Sequence, residues 1–449
     1  MGGRHGRHFP FMRHSPKNGQ ERVVQAMDNT TDAFAARSPQ MTPDHDVATA
    51  RHVVAASLLA WMLDACDFFI VLFTLDDVAR SFGVSLESVL LAPTLTLLTR
   101  PIGAFICGRA ADRYGRKPVM ITTIIVYSVI EVLSAFAPTL ATFLFLRTLF
   151  GIALGGEWGV GTSLIMESVP VSWRGMASGI LQAGYPAGYL LASLVFLLLP
   201  VLGWRGLFIL GGSALFSALY IWIRVPESPE WLARQRHGGA TAPATAGLWP
   251  VIRGNVALCV FAVTLMAAFN FMSHGSQDLY PKVFLGLERR LSHPSITLIV
   301  VLYNIAAIVG GLFFGMLSQR IGRQYSIALA ALLTLPLLPL WTLPHSTVWL
   351  TVGAVCIQFC IQGAWGVVPA YLSELSPPSV RATFPGLAYQ CGNLIAASNA
   401  LLQASVASFL GTGLAPALML TVGGGAVVVL TLTLLNARRH RGAEASSVP

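Results

Sequence analysis

Several ionisable and hydrogen-bonding side chains stand at helical spacing inside otherwise apolar runs of this chain. Asn270, His274, Gln277 and Asp278 fall at i, i+4, i+7 and i+8, one polar stripe along one helix. Asp64 and Asp67 are three apart and share a helix face, as do Gln390 and Asn393. Arg100 and Arg147 also sit within apolar runs. An ionisable residue in such a run is costly and is read first as functional. Histidine, with an ordinary pKa of about 6.5, suits reversible proton transfer. Asp278, one turn on, can share its proton, and Asp67 and Asp64 are further proton sites. Arg100 can hold a carboxylate through two parallel bonds; the alternative is an internal ion pair to Asp64 or Asp67. Asn270, Gln277, Gln390 and Asn393 offer neutral donors and acceptors for a hydroxyl or keto oxygen. A stripe that only holds helices together is the structural alternative for His274 and Asp278. Arg147 is read as a structural partner of Glu131 or Glu157. Ser/His, Asp/Asp and His-Glu-x-x-His arrangements with catalytic spacing do not occur, so no catalytic residue, metal site or cofactor is expected beyond a proton as coupling ion.

The elements that position these groups follow from composition. The chain has 449 residues, 54% hydrophobic and 11% charged, whereas a soluble domain carries about a quarter charged residues. That excludes a water-soluble enzyme. The net charge of +9 does not indicate a nucleic-acid partner, because the basic residues lie between the apolar runs. Cys66, Cys107, Cys259, Cys356, Cys360 and Cys391 all fall inside apolar segments and read as small packing residues. A bilayer-spanning helix takes roughly 20 apolar residues. That ruler gives twelve spans, near 53–75, 88–108, 118–137, 139–163, 176–200, 204–223, 254–280, 295–317, 325–343, 346–371, 382–409 and 411–435. Arg100 then lies roughly 12 Å from the inner end of its span, within reach of a central cavity.

Of the 29 Lys and Arg residues, five fall in the outer loops (Arg80, Arg205, Lys282, Arg289, Arg290), two within spans and the rest on the inner side. Both termini are therefore expected in the cytoplasm, in a multi-pass protein of the cytoplasmic membrane. Residues 1–50 are polar, without the apolar stretch of a signal peptide, and read as a disordered cytoplasmic tail. A six-helix half at 51–223, a linker at 224–253, a second half at 254–435 and a tail at 436–449 complete the expected organisation. The connection 281–294 reads as an external loop.

The halves are repeats. An offset of 207 carries Gly108, Arg113, Gly115 and Arg116 onto Gly315, Arg320, Gly322 and Arg323. It carries Gly156, Trp158 and Gly159 onto Gly363, Trp365 and Gly366, and Glu167, Pro170, Ser172 and Arg174 onto Glu374, Pro377, Ser379 and Arg381. Asp67 falls on His274. Two parallel six-helix halves enclosing a midplane cavity are transporter architecture. Asp112 beside Arg113, Arg116 and Lys117 can pair across its loop and hold one conformer. Gly108 and Gly115 let helices approach. Gln319 replaces the acid in the second copy, so that gate is expected to be the weaker.

Gly108–Lys117 resembles the loop motif between the second and third helices of the major facilitator superfamily, and Arg147-xxx-Gly151-xxx-Gly155-Gly156 resembles its fourth-helix motif. Pro226-Glu-Ser-Pro-Glu-Trp231 after the sixth span is a further match. The resemblance covers roughly 53–435. Asn270-Phe-Met-Ser273-His274-Gly-Ser276-Gln277-Asp278 is similar to the span-seven signature of the Jen-like lactate/pyruvate:proton symporters in the sialate/lactate:proton symporter group. Leu63-Asp64-Ala-Cys-Asp67-Phe-Phe and Gln390-x-x-Asn393 also resemble that group. The signature's closing Thr is Lys282 here, at the expected outer mouth. The resemblance implies a monomeric carrier in the lipid bilayer that imports a short monocarboxylate with a proton, His274 and Asp278 handling substrate or proton. Rival readings are a proton symporter for aromatic acids, a sialate or sugar-acid carrier, and, from another class, a receptor that binds carboxylate without moving it.

Overall fold

The structure, a computed structural model, describes residues 43–236, 250 and 253–446. The described residues from 49 onward form one compact unit, and the few described before them partition separately. The described part of that first unit is the start of a helix at Pro43. Most of the tail expected to be disordered lies outside the described residues.

Among the described residues, twelve helices are long and apolar enough to cross a membrane. They are α1 (Val47–Phe73), α2 (Leu86–Tyr114), α3 (Arg116–Ala135), α4 (Leu140–Ser168), α5 (Val171–Phe196) and α6 (Leu199–Arg224) in the first half. The second half has α7 (Val256–Glu288), α8 (His293–Ile321), α9 (Arg323–Thr342), α10 (Thr347–Leu375), α11 (Thr383–Leu410) and α12 (Leu414–Arg438). Each expected span finds its helix. No strand occurs among the described residues. Side chains such as Val201, Phe216, Leu401 and Phe409 are more than two-thirds exposed on the outer surface, an arrangement that suits lipid and not water.

Two edges differ from expectation. The supposed external loop at 281–294 is mostly helix, because α7 continues to Glu288 with widened i→i+5 bonds such as Arg289 N to Phe284 O at 2.8 Å. Tyr280 and Phe284 are buried there, stacked near Trp341, and they hold a segment whose charges read as loop. The last helix runs on to Ser446, into the expected C-terminal tail. Within the linker, Pro229–Arg236 is helical.

The repeat seen in the sequence is built into the structure. Gly115 and Gly322 make the same sharp turn between paired helices, at φ +110° and +90°, where a side chain would be strained. Arg116 pairs with Glu167, and Arg323 with Glu374, one offset apart. The halves meet along α5 against α8 and α2 against α11.

Candidate functional site

A small central cavity of about 30 Å³ lies between the halves, room for roughly two waters. α1 contributes Trp61, Asp64 and Phe68, α2 Arg100, and α5 Gln182 and Tyr185. From the second half come Asn270, Ser273 and His274 of α7, Gln362 and Trp365 of α10, and Tyr389 and Asn393 of α11. The structure thus brings together Asp64, Arg100, Asn270, His274 and Asn393 from the residues singled out in the sequence.

Arg100 is buried with unspent hydrogen-bonding capacity. Its nearest carboxylate oxygen, on Asp64, is 3.8 Å away, and its Nε has no partner. The Phe68 ring lies 5.0 Å from the guanidinium carbon and covers one face. Opposite, His274 is 3.1 Å from Asn393 Oδ1 through Nε2 and 3.2 Å from Asp278 Oδ1 through Nδ1. Both neighbours are oxygen acceptors, so the imidazolium form donates to each, and loss of its proton removes one donor. Asn270 gives its amide N–H to Met266 O at 2.8 Å, leaving its carbonyl oxygen for a ligand.

Other expected site residues lie elsewhere. Gln277 does not reach the cavity. It donates to Gln358 of α10 at 3.1 Å, beside parallel bonds from Gln358 to Ser276 and from Gln362 to Ser273 at 2.9 Å each. These three bonds fasten α7 to α10. Gln390 is buried off the cavity with its carbonyl oxygen unpartnered. Asp67 points away from Arg100 toward Glu131 and the Gly211 backbone of α6. Its formal equivalence to His274 does not place the two around one cavity. Asp278 is exposed one turn beyond His274, and Lys282 is exposed beyond it.

Arg147 is fully buried, 2.7 Å from Glu131 and 2.5 Å from Ser134, beneath the rings of Phe143, Phe150 and Phe208. Glu157 is not its partner. Glu157 is buried with its Oε2 unpartnered. Sequence reasoning missed the aromatic wall of Trp61, Tyr185, Trp365 and Tyr389.

The loop motif is a latch across the halves. Asp112 accepts from Ala382 N at 3.0 Å, Thr383 N at 3.2 Å and Thr383 Oγ1 at 2.7 Å, at the start of α11. Arg116 lies 3.2 Å from Asp112 and donates to both oxygens of Glu167 at 2.9 and 3.0 Å. A Cβ on Gly108 would lie 2.6 Å from Thr383 Cα, so glycine permits this approach. Lys117 donates to Trp222 O at 2.9 Å, while Arg113 is exposed and takes no part. The helix Pro229–Arg236 adds a second clasp: Glu230 pairs with Arg174 of the first half and with Arg381 of the second. Glu227 receives the backbone N–H groups of Arg116 and Lys117 and caps α3. In the second copy, Gln319 makes one neutral bond to Val171 O at 2.9 Å where Asp112 makes three.

The sequence matches the Major Facilitator Superfamily over residues 57–397 and 279–448. A carboxylic acid transporter protein homolog of Saccharomyces cerevisiae is 28% identical over 372 residues, 78% of this chain and 60% of that protein. The chain therefore spans less than two-thirds of that relative's length. A putative niacin/nicotinamide transporter, NiaP, of Bacillus subtilis is 28% identical over 77% of this chain and 85% of its own length. The crystal structure of the human organic anion transporter MFSD10 (TETRAN) superposes with a TM-score of 0.70 at 17% identity, covering 88% of this chain and 100% of that one.

Proposed function

Because the chain belongs to the Major Facilitator Superfamily, a family of membrane transporters, we propose that it carries a short monocarboxylate of the lactate or pyruvate type together with a proton, by alternating access. The observation that carries this reading is the buried, incompletely paired Arg100 facing His274, Asn270 and Asn393 across one cavity. A carboxylate seated on Arg100 places its 2-oxygen within the polar groups of α7 and α11. The relatives named for carboxylic acid and niacin transport support an organic acid as cargo.

A carboxylate entering a cell that is negative inside is opposed by about 2.3 kcal/mol per charge per 100 mV. One accompanying proton cancels that charge and leaves transport driven by the pH difference and the substrate gradient. Asp64 and His274, which line the cavity with Arg100, are the groups assigned to the proton, with Asp278 hydrogen-bonded behind His274. The latch closes the face that the Lys/Arg distribution assigns to the cytoplasm, and rocking of the halves about the cavity exchanges access.

The test is radiolabelled L-lactate uptake into proteoliposomes with and without an acid-outside gradient. Gradient-driven accumulation by the wild type, strongly reduced in His274→Ala, is expected. Absence of uptake by folded protein sinks lactate as the cargo. The aromatic wall and the niacin relative favour a second reading, an aromatic acid, for which benzoate competition at the same site is the discriminating result.

A further inference from the structure

A second cavity, of about 670 Å³, opens on the outer surface of the second half between α8, α9 and α10. Its size falls within the roughly 300–1,000 Å³ of small-molecule sites. Glycines set its floor. A Cβ on Gly310 of α8 would lie 2.1 Å from Phe359 O, and one on Gly353 of α10 2.5 Å from Leu340 O, so α10 is drawn against both neighbours. α9 carries Pro336 and Pro339, and proline removes a backbone donor and bends a helix. Pro336 lines the opening with Ile305 and Val309 of α8, both exposed. Apart from the thiols of Cys356 and Cys360, no lining side chain forms hydrogen bonds, so ordered water finds few partners there.

The end of these helices away from the latch is basic. Arg289 donates to Thr342 O at the end of α9, its Nη1 lies 3.1 Å from His345 Nδ1, and its Nε is unpartnered. Arg290 and His293 are exposed at the start of α8. Arg290 has φ +53°, the one non-glycine residue in the left-handed region among those described, a conformation that costs energy. The neighbouring acid, Glu288, accepts from Leu414 N at 2.8 Å and is committed to α12. Outer loops ordinarily carry few Lys and Arg. At the 207 offset Arg289, Arg290, His293 and His345 fall on Phe82, Gly83, Leu86 and Pro138, and Pro336 and Pro339 fall on Val129 and Val132. The basic rim and the prolines thus depart from the repeat together, in one half only.

We propose that this groove binds an anionic phospholipid, with one acyl chain between α8 and α9 and the phosphate on the rim formed by Arg289, Arg290, His293 and His345. The dimensions agree. From His293, Ile305 and Val309 lie roughly 18 and 24 Å along α8, and from Thr342, Leu333 lies roughly 14 Å along α9. The distance from headgroup to bilayer midplane is about 20 Å, so a chain hung from the rim ends in the groove. Guanidinium groups take phosphate through paired charge-assisted bonds, and basic pockets between spanning helices suit anionic headgroups. A phosphatidylcholine brings its own cation to the same rim and is disfavoured. The groove shares no residue with the central cavity, so the site stands whatever acid is carried.

The test uses full-length protein in detergent with phosphatidylglycerol that carries a photoreactive diazirine near the end of one acyl chain. Irradiation and peptide mapping then locate the chain, and label is expected on residues 302–309 and 355–360. Unlabelled phosphatidylglycerol should displace it about tenfold more effectively than phosphatidylcholine, the worth of one hydrogen bond to a charged group. Arg290→Gln combined with His345→Gln should remove that preference. Ile305→Trp, which fills the groove, should abolish labelling there. Equal displacement by the two lipids, or label spread evenly over the outer surface, overturns the proposal. So does displacement by glycerol phosphate at the concentration at which phosphatidylglycerol acts, since a soluble anion would then be the ligand. Should a variant fail to fold, the displacement series on the unsubstituted protein decides by itself.

Discussion

Replacing Asp112 by alanine tests whether its cross-half bonds hold the closed face. The carboxylate accepts three bonds from Ala382 and Thr383, all of which break when the halves part. Water takes over those groups in the open state, so each bond contributes only its net worth, about 1 kcal/mol. Three give about 3 kcal/mol, a roughly 100-fold shift in the closed-to-open ratio. Arg116 does not become an orphan, because Glu167 still holds it. The variant therefore folds while its conformational equilibrium moves. Spin labels at Arg113 and Arg320, both exposed at the helix ends on this face, report the separation by pulsed electron resonance in a background freed of native cysteines. A long-distance population absent from the unsubstituted protein is expected in Asp112→Ala. Asp112→Asn retains one acceptor and gives an intermediate distribution. Identical distance distributions in Asp112→Ala and the parent would refute the latch, however transport changed.

Glu131→Gln leaves Arg147 buried beneath three rings without its anion, a loss of about 3–5 kcal/mol; thermal unfolding in detergent checks it, and an unchanged midpoint contradicts the pairing. Gly155→Ala forces a methyl group against the Arg100 carbonyl and is expected to destabilise the protein by about 1–3 kcal/mol while raising the KM for the acid. Gln362→Ala removes the bond to Ser273 that fastens α7 beside the cavity; a weaker apparent affinity with an unaltered proton-to-substrate ratio is expected in paired uptake measurements. Glu230→Gln loosens Arg174 and Arg381 together and should lengthen the same spin-label distance less than Asp112→Ala does.

The spans and the repeat were legible because a bilayer imposes length and apolarity on every crossing segment, and a duplicated half leaves its turns at one offset. The arrangement within the site was legible only as far as one helix at a time. Asp64 and Asp67 are three apart, about 60° around the helix and 4.5 Å along it. From that spacing they share a face, yet this offset is enough to turn one toward Arg100 and the other toward Glu131 and Gly211. Gln277 lies almost in line with Asn270 but about 10 Å farther along α7, at a level where α10 presents Gln358 and no cavity remains. What a polar group does here is set by the helix that meets it at its own height, and no periodicity within one span contains that. The same limit hid Glu157. Read along its own helix it belongs with Arg147, ten residues earlier; the helix breaks between them at Gly156, and Arg147 pairs with Glu131 instead. A glycine that reads as a packing feature in the sequence, Gly155, is what lets the backbone of α4 meet that of Arg100. Filling it with even a methyl group should displace Arg100 and weaken binding of the acid while the twelve-helix frame stays in place.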